Sequence, residues 1–178
     1  SVNPATNKMD EIVVEAVHGL GETAVSGQVN PDIYILDKEE MIIKTRLLKI
    51  QGWGLFRDKE GRNVRLSIPI DVDKKQVISD KNIMDLAKYS KMLEEHYSKP
   101  QDSEWAVENG KVYIVQTRAV TTLHNIEKTE EVSGEAIVNG QTASSGVASG
   151  PVKIVLSMDD LNKVNDGDIM VTPMTNPD

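Results

Sequence analysis

The sequence predicts an α+β fold in which short strands surround one long helix, and three observations carry that prediction. Ile12, Val13, Val14, Ala16 and Val17 form a nearly continuous apolar run, the pattern of a strand buried on both faces. Between Ser79 and Pro100, apolar residues recur at the helical period. Beyond Pro100, two strand-like runs flank Asn109-Gly110, a dipeptide suited to a hairpin turn.

The elements follow in order. The first strand is expected over 10–17 and ends in the Gly-punctuated turn His18-Gly19-Leu20-Gly21-Glu22. Glu22 to Ser26 reads as a short helix or turn closed by Gly27. Strands are expected around 33–36, 41–48 and 64–70, with a loop over 51–63 that leaves Trp53 and Phe56 exposed. Ser79 or Asp80 caps the long helix, whose stripe is Ile83, Leu86, Ala87, Ser90, Leu93 and Tyr97, and Pro100 stops it. The hairpin then runs over 104–107 and 112–120. Polar and charged residues over 124–133 read as a linker, so domains are expected over 1–123 and 134–178. In the second, strands are expected over 152–156 and 169–172 and a short helix over 158–164. These strands lack visible covering partners, so disorder or intermolecular pairing is expected there.

Composition excludes several functions. The chain has 178 residues and a net charge of -8, an acidic balance opposed to nonspecific binding of nucleic acid or an anionic membrane. There is no cysteine, which removes disulfides and thiolate metal sites and is compatible with a reducing, cytoplasmic location. No apolar run reaches membrane-spanning length. The opening Ser1-Val2-Asn3-Pro4 reads as the interior of a longer chain.

The sharpest chemical feature is Asp102, Glu104, Gln116 and Arg118 on two neighbouring strands. Magnesium prefers oxygen ligands, usually one or two carboxylates plus substrate phosphates. Glu104 and the Gln116 carbonyl oxygen suit such an ion, and the forked donors of Arg118 suit a phosphate. The alternative is a solvated hairpin edge with a surface ion pair. Register separates the two. A two-residue turn pairs Glu108 with Lys111 and puts Glu104 and Gln116 on opposite faces. A three-residue turn or a bulge pairs Glu108 with Val112 and sets Glu104 opposite Gln116, and this second register is the one expected. The Gly19-Gly21 turn is either a backbone approach to a ligand or simply tight. His18, His96 and His124 match no metal-binding spacing.

At Glu95-His96-Tyr97-Ser98-Lys99-Pro100-Gln101-Asp102-Ser103-Glu104-Trp105 and Val112-Tyr113-Ile114-Val115-Gln116-Thr117-Arg118 the chain resembles the end of the nucleotide-binding domain of phosphoenolpyruvate synthases. Gly19-Leu20-Gly21-Glu22, Val25-Ser26-Gly27 and Pro31-Asp32 match the same domain in order. Ala143-Ser144-Ser145-Gly146-Val147-Ala148-Ser149-Gly150 and Gly167-Asp168-Ile169-Met170-Val171-Thr172 look like the start of a swivelling phosphohistidine domain.

The resemblance implies the C-terminal part of an ATP-grasp domain followed by a partial swivelling β/β/α domain. It implies a pyruvate, water dikinase serving gluconeogenesis: ATP phosphorylates a histidine, releasing AMP and phosphate, and the phosphoryl group passes to pyruvate. Glu104 and Gln116 would then bind Mg2+, Arg118 a phosphate and Glu22 the nucleoside, with Asp102 supporting the site. ATP and pyruvate are the implied small-molecule partners, with no nucleic acid and no membrane, and a homodimer is an assembly it allows. Ser103 replaces a usually apolar residue. The phosphorylated histidine is expected beyond Asp178 and the basic half of the ATP site before Ser1, so the chain alone is expected to be inactive and to bind ATP poorly. Rifampicin phosphotransferases and pyruvate, phosphate dikinase are enzyme alternatives, the latter disfavoured by Trp105, and a non-catalytic binding module is a third.

Overall fold

The computed structural model describes residues 1–4, 6, 8–121, 147–156 and 158–172. It divides into two compact units, Ser1–Leu123 and His124–Asp178. The expected linker over 124–133 and the residues 143–146 of the Ser/Gly-rich motif lie outside the described residues.

In the first unit, strands β1 (Glu11–Ala16), β2 (Asp32–Asp37) and β3 (Ile42–Leu47) form an antiparallel sheet in that order. Ile12 pairs with Leu36, Val14 with Tyr34 and Ala16 with Asp32, so these side chains share one face. That face joins Ile83, Leu86 and Ala87 of the long helix α3 (Asp80–Tyr97) in a single core, which Ile78 and Val112 complete. Burying a side chain the size of Ile12 or Leu36 contributes about 1.5–3 kcal/mol. The expectation that β1 is buried on both faces is corrected: Glu15 is exposed and Val13 only half-buried, because β1 is an edge strand with one covered face.

The long helix starts where expected, with Ser79 Oγ accepting from the Asn82 amide at 3.2 Å. Its end differs. Ser98 adopts φ 52, and the Lys99 and Ser98 amides donate to the Glu94 and Glu95 carbonyls, so a left-handed cap closes the helix before Pro100 is reached. Tyr97, placed in the apolar stripe, is exposed.

The predicted loop over 51–63 is also corrected. It holds β4 (Trp53–Arg57), which pairs with β5 (Asn63–Ser67). Trp53 and Phe56 are half-buried rather than exposed, and the Arg65 guanidinium lies 3.8 Å over the Trp53 ring. A strand this short, with Gly52 beside it and Gly54 within it, hides its period. β5 stops at Ser67, and Ile70 instead begins the short helix α2 (Ile70–Asp73). After α3, strands β6 (Gln101–Glu108) and β7 (Lys111–Ala119) form a separate two-stranded hairpin.

At the β2–β3 turn, Asp37 accepts from the Glu39 and Glu40 amides, each at 2.9 Å. The Lys44 ammonium, 2.6 Å away, and the Glu40 amide hold its carboxyl at about 2. A carboxylate depressed below its unfolded value of about 3.9 stabilises the fold above that value and loses the contribution as pH falls toward 2. Asp37→Asn is therefore expected to weaken the protein in urea at pH 7, with the difference vanishing by about pH 2. Equal differences at both pH values would contradict it.

In the second unit, β8 (Val152–Ile154) pairs in parallel with β9 (Ile169–Val171). A 3-10 helix, Met158–Lys163, connects them where an ordinary short helix was expected. Residues 152–154 and 169–171 thus pair within the chain, where disorder or intermolecular pairing was expected. A Cβ at Gly150 would lie 1.9 Å from the Gly167 carbonyl oxygen, so this close approach requires glycine. Among the described residues, no helix is long and apolar enough to cross a membrane.

Candidate functional site

The hairpin of β6 and β7 carries the polar cluster. Asn109 and Gly110 have φ 52 and 75, the left-handed pair of a type I′ turn. The turn pairs Glu108 with Lys111, not with Val112 as expected. Continued unbroken, that register would set Gln116 opposite Ser103. Instead Trp105 pairs with Ile114 and Glu104 with Gln116, which leaves Val115 as an extra residue on β7. The expected partnership of Glu104 and Gln116 is present, but a bulge in mid-strand produces it rather than a change at the turn.

The next outward-facing pair is Asp102 with Arg118, so all four side chains share one exposed face. Arg118 donates from Nε and Nη2 to the same Asp102 oxygen, at 2.9 Å each. Arg118 is 73% exposed and Asp102 54%, which limits the stabilisation to about 1 kcal/mol or less. The pair therefore orients the guanidinium more than it stabilises the fold. The inner face of the hairpin carries Trp105, Val107 and Val112 into the core, which gives the outer face a rigid base.

Glu15 was missed from sequence. It projects from β1, retains exposed surface, and is still crowded enough that desolvation, followed by the negative charge of Asp102, raises its carboxyl. A glutamate between the apolar residues Val14 and Ala16 of the strand was the available signal. Among the described residues, no three His, Asp or Glu side chains converge as a metal-binding group. A metal here would need the amide oxygen of Gln116 and ligands from outside the chain.

Glu22 lies elsewhere. It begins helix α1 (Glu22–Val25) and lines an open cleft of about 340 Å³ with Thr23, Gln28, Trp53, Leu55, Asn63 and Arg65. None of the four hairpin residues lines this cleft. The glycine turn serves the chain's own packing: Leu20 N donates to Leu55 O at 2.7 Å, and Gly19 bridges to Leu55. Buried Gln51 ties the turn down by accepting from His18 N and donating to Ala16 O, while Asp73 accepts from the Gln51 and Gly52 amides. His18 Nε2 is buried without a hydrogen-bond partner, and His96 meets Tyr97 edge-on at 4.8 Å. His124 lies outside the described residues.

Residues 1–138 match the family model described as "Pyruvate phosphate dikinase, AMP/ATP-binding domain", and the chain belongs to that family. Both Glu104 and Gln116 fall inside the match. Its relatives narrow the likeness. The chain is 41% identical over 183 residues to "Probable phosphoenolpyruvate synthase" of Methanocaldococcus jannaschii, covering 100% of this chain and 15% of the relative. It is 42% identical over 172 residues to the protein of the same name from Archaeoglobus fulgidus, covering 93% and 23%. It is 39% identical over 190 residues to "Phosphoenolpyruvate synthase" of Pyrococcus furiosus, covering 100% and 23%. The chain thus spans between 15% and 23% of the length of these relatives.

Proposed function

We propose that this chain is a segment of a phosphoenolpyruvate synthase, a pyruvate, water dikinase. In this reading, residues 1–123 are the C-terminal part of an ATP-grasp domain and residues 134–178 the start of a swivelling phosphohistidine domain. The observation that supports it best is the direct pairing of Glu104 with Gln116, beside Asp102–Arg118, inside the family's AMP/ATP-binding match.

A carboxylate oxygen and an amide oxygen on directly opposed residues are hard donors, and they leave coordination positions for phosphate and water, as magnesium favours. When bound, magnesium neutralises charge on the ATP phosphates. Glu104 and Gln116 hold the ion in this assignment. Asp102 fixes the plane of Arg118, whose remaining N–H donors face a phosphate oxygen. Glu22, in its separate cleft, is assigned to the nucleoside. These residues position and neutralise, which is most of what phosphoryl transfer asks of a protein.

The test is the intact polypeptide that carries this chain, supplied with ATP, pyruvate and Mg2+. Equal amounts of phosphoenolpyruvate, AMP and phosphate are expected. Formation of ADP, or AMP formation that yields no phosphoenolpyruvate, would sink the proposal. The chain by itself is expected to make no AMP and to bind ATP weakly in calorimetry, since it carries one wall of the site.

A further inference from the structure

We infer that two side-chain anchors, Asn82 at the hairpin tip and Thr117 at its base, trap the bulge at Val115 and so set Glu104 opposite Gln116. Both are thereby positioning residues, a role that rests on the reading of Glu104 and Gln116 as metal ligands.

Apolar burial favours this register only at the tip, where Val112 opposite Val107 lies in the core. Val112, Tyr113, Ile114 and Val115 are consecutive apolar residues, so alternation assigns no face. Only Val112 of the four is buried, at 7%, while Tyr113, Ile114 and Val115 remain 43%, 36% and 68% exposed. The extra residue has three places to go. Taken up in the turn, it shifts Val112 away from Val107. Taken up beyond Gln116, it turns Gln116 toward Ser103 and the inner face. Only between these limits does Gln116 meet Glu104.

Each limit is blocked by a side chain. At the tip, Asn82 Nδ2 donates to Gly110 O at 2.8 Å. Asn82 is 4% exposed and held in turn by Ser79, whose Oγ donates to Asn82 Oδ1 at 2.7 Å and accepts from Asn82 N. This pins the two-residue turn to the first turn of α3. At the base, Thr117 Oγ1 donates to Gln101 Oε1 at 3.1 Å. With that proton committed, the 3.1 Å contact between Ser103 and Thr117 is a bond donated by Ser103. Gln101 is 2% exposed and fastened through Nε2 to the Lys99 and Pro100 carbonyls. Thr117 is therefore held opposite Ser103. With Glu108 against Lys111 and Ser103 against Thr117, four residues of β6 face five of β7, and one must bulge. The residue that does so, Val115, is the most exposed of the four apolar ones at 68%.

The test pairs a structural readout with a functional one. Asn82→Asp keeps an acceptor for Ser79 but cannot donate to Gly110 O, Thr117→Val removes the hydroxyl at nearly constant shape, and Thr117→Ser retains it. In the 178-residue chain, NMR is expected to show one set of Val115, Gln116 and Thr117 amide signals for wild type and Thr117→Ser. Two sets are expected for the Asn82→Asp/Thr117→Val double variant. In the intact synthase, the Mg2+ concentration for half-maximal AMP formation is expected to rise about tenfold or more in the double variant, and Thr117→Ser to return it close to wild type. One register and an unchanged Mg2+ requirement in the double variant would overturn the inference. If the double variant fails to fold, Thr117→Val alone is read by the same signals: two sets support the anchors, and a single wild-type set overturns them. If Glu104→Ala leaves the Mg2+ requirement of the wild-type enzyme unaltered, the ligand reading falls, while the amide register still decides the anchors.

Discussion

On the proposed assignment of Glu104 to the metal, Glu104→Ala is expected to lower AMP formation by the full-length protein about 10²- to 10³-fold, the usual loss when one electrostatic contact to a developing charge is removed. The protein should remain folded, because Glu104 is exposed and sits outside the core cluster. Gln116→Ala is expected to lose a similar amount. The two changes should not multiply if, as proposed, both residues serve one ion: the double variant should be little worse than either single one. Glu104→Gln separates the two properties of the carboxylate, keeping an oxygen donor while removing the charge. Its expected activity lies between wild type and Glu104→Ala, with more Mg2+ needed. Steady-state assays across a Mg2+ titration give all four values. Full activity in Glu104→Ala, or strictly multiplicative losses in the pair, would show that the two side chains do not share a metal.

The second large effect concerns stability. Gly19→Ala should cost about 3–5 kcal/mol, in the range that marks a special backbone site. Gly19 has φ +80, and a Cβ there would lie 2.1 Å from the Leu55 carbonyl oxygen, the atom that accepts from Leu20 N. The substitution must either break that bond or push β4 away from the turn. Backbone is not the flexible end of a side chain, so neither adjustment is cheap. Gly21 is the control two residues on. It has φ -61 and no atom within 4 Å of a Cβ, so Gly21→Ala should change stability by no more than about 1 kcal/mol. Urea denaturation of the three proteins tests this, and equal midpoints for Gly19→Ala and wild type would refute it. The glycine turn then reads as a clamp that holds Glu22 and the β4–β5 hairpin to the end of β1.

Some of this was legible because its causes are local. Ser79, the stripe through Ile83, Leu86 and Ala87, and Asn109-Gly110 act over a few residues, so the helix start and the position of the turn, though not its register, were readable directly. The helix end was misread because Ser98 closes it through a conformation that its residue type does not advertise. β4 was misread because its strand character comes from pairing with β5 and from the clamp at Gly19. The four polar residues of the hairpin could be named from sequence, since each carries its chemistry in its side chain.

What the sequence by itself determined is the set of groups available: a carboxylate, an amide and an arginine with its own acid, all on one hairpin. Tertiary structure decided which of them meet. Asn82 reaches Gly110 across 28 positions of chain, and Thr117 reaches Gln101 across 16. Between those two bonds one residue of β7 has no partner, and its placement puts Gln116 beside Glu104. Side-chain identity is a local property, whereas register in an exposed, evenly apolar strand is set by contacts that exist only after the chain has folded.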